Sequence, residues 1–286
     1  MARVLLIATT TGYQIRSFGQ AAGRLGVELM LATDRCHVLE DPWRDDAISI
    51  RFTDETASVE AISQALENRP IAGVVAVGDR PALIAALVSQ AMGLPGNSPD
   101  AVRIAGNKLL TRRRLRDQKL PSPWFVALPT DTPVEDVQDQ VDFPCVVKPL
   151  KMSASRGVMR VNSLKELSVA MCRVRHMQNS AEIQALRDPE NSTILIEQYL
   201  PGREVAVEGV LINGVFHEFA VFDKPDLLEG PFFEETIYVT PSRHTERTQE
   251  GIRQAVSDAS AALGLTDGPV HAECRIGSAD IFVLEI

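Results

Sequence analysis

The chain has 286 residues, of which 45% are apolar, and this is enough for two globular domains or one large one. Its formal net charge of −9 argues against a nucleic-acid partner, because affinity for DNA or RNA comes from clustered Lys and Arg. The four cysteines form no CxxC pair and no His lies at zinc-ligand spacing from them. They are interpreted as buried thiols in a reducing compartment.

The sequence shows no targeting or membrane segment. The apolar run within residues 1–12 is too short for a signal peptide and lacks a small-residue cleavage pattern. No other apolar stretch reaches the length that spans a bilayer. We therefore expect a cytoplasmic protein with no membrane partner.

Strand and helix patterns alternate through residues 1–95. Apolar runs predict strands at 4–8, 27–32, 47–52 and 71–77. Amphipathic stretches between them predict helices at 14–25, 58–67 and 81–92. The run 71–77 is nearly continuous, as expected for a strand that is buried on both faces. This alternation predicts an α/β domain with a small parallel sheet.

A dinucleotide site on this sheet is the first alternative. The turn after the first strand contains only Gly12 and not GxGxxG, although Asp34 ends the second strand where a ribose-binding acid belongs. The missing glycines disfavour the close backbone approach that a pyrophosphate needs. An NAD-linked oxidoreductase is therefore the less favoured reading, and an NADH titration tests it.

The pattern changes after residue 101 to strands with few helices, which predicts an α+β domain. A basic helix at 107–118 comes first, and its run 112–116 with Lys119 is interpreted as a solvated face. Further strands are predicted at 145–148, 158–161, 193–198, 204–211, 215–222, 232–239, 270–276 and 281–286. Two further helices are predicted at 164–177 and 245–263. Asn213-Gly214 is the strongest hairpin signal in the chain. We expect a linker at 96–128, a small subdomain at 129–200 and a large subdomain at 201–286.

A lysine and a polar turn follow one of these strands. Lys148 closes the otherwise apolar strand 145–148, and burying its ammonium needs either a snorkelling geometry or an anionic partner. Residues 153–158, Ser-Ala-Ser-Arg-Gly-Val, form a flexible turn whose N–H groups and hydroxyls can fold over an anion, or a plain Ser/Gly hairpin turn. The lysine and turn together favour phosphate binding.

Two glutamates flank the end of the strand 193–198. Glu197 follows three apolar residues, and Glu204 comes after the turn at Pro201-Gly202. A strand end leaves main-chain groups free for an adenine edge, and a carboxylate beyond it can accept from ribose hydroxyls. The alternative for either glutamate is a surface position beside a turn.

Two further glutamates lie on the final hairpin. With Gly277 opposite Ile281, period two places Glu273 opposite Glu285 on one face. Opposed like charges destabilise a sheet, and a Mg²⁺ ion between them would remove the conflict because it prefers carboxylate oxygens. A register one residue away would put the two glutamates on opposite faces.

The order of these motifs resembles the ATP-grasp superfamily over essentially the whole chain. It is similar to L-amino acid ligases and to the group of biotin carboxylase and carbamoyl-phosphate synthase, with a pre-grasp domain at 1–95 and an ATP-grasp domain after it. In the superfamily the last strand continues into an Asn or Ala, an Arg and a Gly-rich turn. Because this sequence stops at Ile286, we interpret it as a fragment or a natural truncation with an incomplete large subdomain.

The resemblance implies a role for each matching residue. ATP and Mg²⁺, or Mn²⁺ in its place, are the implied cofactors, with Glu273 and Glu285 as metal ligands. Lys224 and Arg156 are the implied catalytic residues, with Arg156 in the flap and Lys224 at the transferred phosphate. The implied nucleotide-binding residues are Lys108, Lys148, Ser153, Ser155, Gly157, Glu197, Gln198, Tyr199, Leu200 and Glu204.

The resemblance further implies an ATP-dependent carboxylate–amine ligase that works through an acyl phosphate. Its substrates would be amino acids or another small carboxylate and an amine, with Glu234 or Glu235 near the amine, and a homodimer is one expected assembly. Two alternatives stay open beside it. One is a biotin-carboxylase-like or nucleotide-biosynthesis reaction, and the other is an ATP-binding module without turnover.

Overall fold

The computed structural model describes residues 2–10, 14–35, 47–152, 155–233 and 236–286. The chain divides into two compact units, Met1–Arg103 and Ile104–Ile286. The finer subdomain borders at 128/129 and 200/201 stay predictions. No helix within the described ranges is both long and apolar enough to cross a membrane.

The first unit is an α/β domain, and its small parallel sheet confirms the predicted fold class. The strand order is β3-β2-β1-β4, and all three strand pairs are parallel. The strands are β1 (Arg3–Ala8), β2 (Glu28–Thr33), β3 (Ile48–Ser49) and β4 (Gly73–Val77). The helices are α1 (Ile15–Leu25), α2 (Glu55–Leu66), α3 (Asp79–Ala91) and α4 (Pro99–Ala105), the last of which runs across the border between the two units.

Burial in this sheet differs from the sequence prediction for residues 71–77. One of the two central strands is β1, whose residues from Leu5 to Ala8 are almost completely buried. By contrast, β4 is an edge strand, and each of its residues is only half-buried. A continuous apolar run reports hydrophobicity but does not reveal strand order, and this explains the wrong prediction of burial on both faces.

The second unit begins with an antiparallel sheet of order β5-β8-β6-β7. Its strands are β5 (Phe125–Pro129), β6 (Cys145–Pro149), β7 (Met159–Val161) and β8 (Thr193–Gln198). The helices α5 (Lys108–Asp117), α6 (Leu164–Gln178) and α7 (Ala181–Gln184) belong to the same part of the chain. The sequence prediction missed β5, because prolines flank and end this short run. An edge strand tolerates them.

A second antiparallel sheet of order β10-β9-β11-β12 completes the unit. Its strands are β9 (Arg203–Ile212), β10 (Val215–Asp223), β11 (Gly268–Ile276) and β12 (Ile281–Glu285), with helix α8 (Glu246–Leu263) before β11. Asn213 and Gly214 have φ angles of 51° and 81°. This confirms the predicted tight hairpin turn, which needs positive φ at both residues.

The predicted strand at 232–239 is absent from the parts of this segment that the structure describes. Phe232 and Val239 make only isolated bridges, to Met159 and Asp223. Phe233 is buried while Phe232 next to it is half-exposed, so the apolar residues of the segment pack individually. Glu234 and Glu235 lie outside the described residues, as do Gly12 and Ser153.

Candidate active site

A cleft opens between the two antiparallel sheets of the second unit. Strands β6 and β8 line one side of it, and β9, β11 and β12 line the other. It holds about 760 Å³ of empty space, part of which is open to solvent. Most of the predicted site residues line it: Lys148, Ser155, Glu197, Gln198, Tyr199, Leu200, Glu204, Glu273 and Glu285.

Three charged side chains are buried together at the β6–β8 wall. The ammonium of Lys148 contacts Glu197 Oε1, and Arg112 on α5 donates from Nε to Glu197 Oε2 at 2.9 Å. A second nitrogen of Arg112 donates to the carbonyl of Val283 at 3.2 Å. Arg112 is fully buried, which corrects the prediction that the basic run is solvated. Its neighbours Arg113, Arg114 and Arg116 do lie on the exposed face.

This buried trio carries two positive charges and one negative charge. Burial would raise the pKa of Glu197, but Arg112 and Lys148 outweigh burial and lower the pKa to about 2. Burial lowers the pKa of Lys148, with Arg112 adding to the effect against the attraction of Glu197. An anion in the cleft would balance the excess positive charge, because a desolvated ammonium gains most from a nearby negative group.

Alternating charges line the β9–β11 wall. Glu204 pairs with Arg275 in the strand register, and Ala206 pairs with Glu273. Lys224, which follows β10, donates to Glu204 at 2.8 Å and to Glu273 at 3.0 Å. Lys224 therefore joins a predicted nucleotide-binding residue to a predicted metal ligand.

The two predicted metal ligands are opposite each other, although the predicted register is wrong. Ile281 pairs with Ile276 and not with Gly277. A β-bulge then shifts the register between Cys274 and Glu273, and the extra residue on β12 is Leu284. The bulge makes Glu273 the partner of Glu285. Bulges of this kind often re-aim side chains beside active sites.

These two carboxylates suit a magnesium ion that is shared with phosphate. Mg²⁺ commonly takes one or two protein carboxylates and completes its octahedron with phosphate oxygens and water. No cluster of three or more His, Cys, Asp or Glu that could hold a metal occurs in the described part of the chain, so the ion would depend on the substrate. Lys108 on α5 contacts Glu285 at 3.2 Å and donates to the carbonyl of Met152 at 2.8 Å.

The end of β8 offers main-chain groups beside apolar side chains. Glu197 pairs with both Phe125 and Val146, so its main chain lies inside the sheet while its carboxylate reaches the cleft. The carbonyl of Leu200 accepts from Arg275 at 2.9 Å. Among the described residues, nothing accepts a hydrogen bond from the Leu200 N–H. A small apolar cluster lies beside it, formed by Val146, Tyr199, Leu228 and Phe233.

The predicted flap is described from Ser155 onward. Ser155 lines the cleft, and both Ser155 and Gly157 have positive φ angles, of 53° and 80°. The guanidinium of Arg156 is exposed and donates to the carboxylate of Glu182 at 3.2 Å. The structure therefore does not bring Arg156 and Gly157 to the cleft wall with the other predicted residues.

Two arginines of the site were missed in the sequence. Arg112 lies four residues after Lys108, so the two share a helix face, and Arg275 lies two residues after Glu273, so the two share a strand face. Each spacing was a usable signal. An arginine beside a predicted ligand-binding residue is more simply interpreted as a solvated charge, and only the fold shows that these two are buried.

A cleft between two antiparallel sheets, with buried cations facing a carboxylate pair, has a charge pattern that suits an anionic ligand. A family model for the ATP-grasp domain matches residues 141–286, just over half of the chain. A model for the ATP-grasp N-terminal domain matches residues 19–96. The chain belongs to the ATP-grasp family.

Named relatives agree with this family. An ATP-grasp enzyme, fsqD from Aspergillus fumigatus, is 27% identical over 91% of the chain and 46% of its own length. Human carnosine synthase 1 is 25% identical over 99% of the chain and 36% of its own length. The crystal structure of an L-amino acid ligase from Bacillus licheniformis superposes with a TM-score of 0.80 at 26% identity, covering 100% of this chain and 66% of that one. The chain thus spans about half or less of these two curated relatives.

Proposed function

We propose that the chain binds Mg-ATP in this cleft and uses the γ-phosphate to activate a carboxylate for attack by an amine. The main support for this proposal is the buried trio of Arg112, Lys148 and Glu197, because a bound anion would stabilise its net positive charge. The position of the trio across the cleft from Glu273 and Glu285 supports a metal-bound phosphate chain as that anion.

Each part of the nucleotide has a matching part of the cleft. The N–H of Leu200, which has no acceptor among the described residues, suits the edge of a purine, and the apolar cluster at Tyr199 suits its faces. Glu204 is placed to accept from ribose hydroxyls, and Lys148 and Lys108 would balance the phosphate charges. Glu273 and Glu285 would hold the ion, which when bound neutralises charge on the phosphates.

The proposed reaction has two steps. A carboxylate oxygen of the substrate attacks the γ-phosphorus while the bond from that phosphorus to the bridging oxygen of ADP breaks, giving an acyl phosphate and ADP. The amine nitrogen then attacks the acyl carbon, inorganic phosphate leaves, and the nitrogen loses one proton. Lys224 is proposed to stabilise the charge on the transferred phosphoryl group, after leaving its present partners Glu204 and Glu273.

The flap is proposed to cover the phosphates during these steps. Ser155 already faces the cleft, and the predicted role of Arg156 requires it to leave its exposed pairing with Glu182. A closed flap keeps water away from the acyl phosphate and so limits its hydrolysis.

The names of the relatives support amino acids as the proposed substrate class. The L-amino acid ligase superposes over the whole chain, and the human relative is named for its synthesis of carnosine. Amino acids are therefore the first carboxylates and amines to test in this chain.

An isotope experiment tests the reaction. The chain is incubated with Mg-ATP, an amine and an amino acid whose carboxylate carries ¹⁸O, and the released phosphate is examined by mass spectrometry. One ¹⁸O atom in the phosphate is expected, since the acyl phosphate delivers one carboxylate oxygen to it. Nucleotide binding without phosphate release from any amino-acid pair would instead identify a binding module without turnover.

A further inference from the structure

Arg275 is a cleft residue without an assigned role. It lies on β11, directly opposite Glu204 in the register with β9, and it lines the cleft while being almost completely buried. A buried guanidinium is costly unless its donors are satisfied, so its partners indicate what it holds in place.

The guanidinium joins three separate segments of the chain. It donates to the carbonyl of Leu200 at 2.9 Å, to Glu204 Oε2 at 2.6 Å and to the carbonyl of Leu228 at 3.0 Å. Leu200 follows β8, Glu204 belongs to β9, and Leu228 belongs to the segment after β10. The Cζ atom of Arg275 lies 5.7 Å from the centroid of the Tyr199 ring and 5.8 Å from the centroid of the Phe233 ring. Cation–π contacts of this kind add to the restraint on its plane.

Glu204 is held by both of its oxygens. Lys224 donates to Oε1 at 2.8 Å, and Arg275 donates to Oε2 at 2.6 Å. A lysine is a point charge on a flexible stem and permits a carboxylate to rotate. The planar guanidinium of Arg275 donates to Glu204 through one nitrogen, and its own plane is held by the carbonyls of Leu200 and Leu228, so it fixes the direction of that hydrogen bond. The orientation of this carboxylate therefore depends mainly on Arg275.

We propose that Arg275 is a positioning residue that aims the Glu204 carboxylate at the ribose hydroxyls of the bound nucleotide. This inference rests on the nucleotide site proposed above. Leu200 and Glu204 would contact the base and the ribose of one nucleoside, and a single guanidinium holds both of them. Arg275 thus sets the spacing between base recognition and ribose recognition.

A purely structural role for Arg275 leads to a different expectation. If Arg275 only held segments of the chain together, its replacement would weaken the binding of all nucleotides by the same factor. A positioning residue for Glu204 would affect nucleotides with ribose hydroxyls more than those without. The ratio of affinities for ADP and its deoxy analogues therefore distinguishes the two roles.

The test is isothermal titration with Mg-ADP, Mg-2′-deoxyADP and Mg-3′-deoxyADP, which cannot transfer a γ-phosphate. The wild type is expected to prefer ADP over at least one deoxy analogue by about tenfold, as for a hydrogen bond to a charged group. Arg275→Met is expected to weaken ADP binding by about tenfold and to reduce the preference below about threefold. Glu204→Gln is expected to reduce the same preference.

Arg203→Met is the matched control. Arg203 is the neighbour of Glu204 on β9, but its side chain is exposed and donates to the carbonyl of Pro225 at 3.1 Å. The same substitution there is expected to leave the preference unchanged. Arg275→Lys, which keeps the charge and loses the fork, is expected to behave like Arg275→Met and provides a second variant if the first does not fold.

Equal weakening of ADP and both deoxy analogues in the Arg275 variants would overturn the positioning role while leaving the nucleotide site intact. A wild type without preference for the ribose hydroxyls would also overturn it. If the wild type bound no ADP at all, the nucleotide site itself would be wrong and the inference would fall with it.

Discussion

Glu197 shows how a carboxylate can remain ionised inside the protein. It is almost completely buried, and two cations hold its charge. Removing both charges of a buried pair can be neutral, but removing one leaves the other uncompensated and costs several kcal/mol. Arg112 is the more informative partner to remove, because it lies outside the cleft lining while Lys148 is expected to contact the ligand.

The first prediction concerns Arg112→Met. The variant should lower the free energy of unfolding by about 3 kcal/mol, since Glu197 keeps only Lys148 as a partner. Urea unfolding followed by circular dichroism measures the change. Arg114→Met, two residues further along the same helix but exposed, should stay within about 0.5 kcal/mol of the wild type. Equal stabilities of the two variants would show that the trio does not stabilise the fold.

The second prediction concerns acid stability. Because the pKa of Glu197 is lowered to about 2 from 4.5, its contribution is fully present above pH 4.5 and is lost as the pH falls towards 2. The stability gap between the wild type and Glu197→Gln should thus be constant above pH 5 and shrink below it. The expected slope approaches about 1.4 kcal/mol per pH unit. Urea midpoints from pH 3 to pH 7 test this, and a gap that does not change with pH would contradict it.

At the scale of elements, the turn from β8 to β9 brings the two walls of the cleft together. Gly202 in this turn has a φ of 128°, and a Cβ added there would lie 2.0 Å from the main-chain oxygen of Ile276. The turn can therefore approach β11 closely only with glycine at this position. Leu200 and Glu204 lie on either side of it, so its geometry also sets their separation.

The third prediction compares Gly202→Ala with Gly214→Ala. Both positions have positive φ, but a Cβ at Gly214 meets open space. Gly214→Ala should cost about 1 kcal/mol from backbone strain alone. Gly202→Ala should cost more than about 3 kcal/mol, because the contact with β11 adds to the strain, and it should weaken ADP binding as well. Similar losses of unfolding free energy in the two variants, measured in urea, would mean that the turn can move away from β11 without a further cost.

In the final hairpin, the strands could be predicted from the sequence but their exact pairing could not. The period-two patterns of β11 and β12 were enough to predict both strands, but the opposition of Glu273 and Glu285 followed only from an assumed register. The pattern did not reveal the bulge at Leu284, because one extra residue leaves the alternation on either side intact. The predicted opposition is confirmed, but it arises from a different register at the turn.

At the scale of the whole chain, the order of elements was predictable and the long-range pairings were not. The α/β unit, the later antiparallel sheets and the tight turn at Asn213 follow from local patterns. The edge position of β4 and the burial of Arg112 and Arg275 depend on residues distant in sequence. Local patterns carry no information about such partners, and for this reason the cations of the cleft were predicted only in part.

Every role assigned above depends on the proposed binding of a metal-bound nucleotide in the cleft of the second unit. This binding is tested most directly by isothermal titration of AMP-PNP with Mg²⁺ into the wild type, Lys148→Met, Glu273→Gln and Lys165→Met. Lys165 is an exposed lysine on α6 and serves as the control. Micromolar binding is expected for the wild type and for Lys165→Met, with at least about tenfold weaker binding to the other two variants. Binding that is absent from the wild type, or unchanged in Lys148→Met, would contradict it.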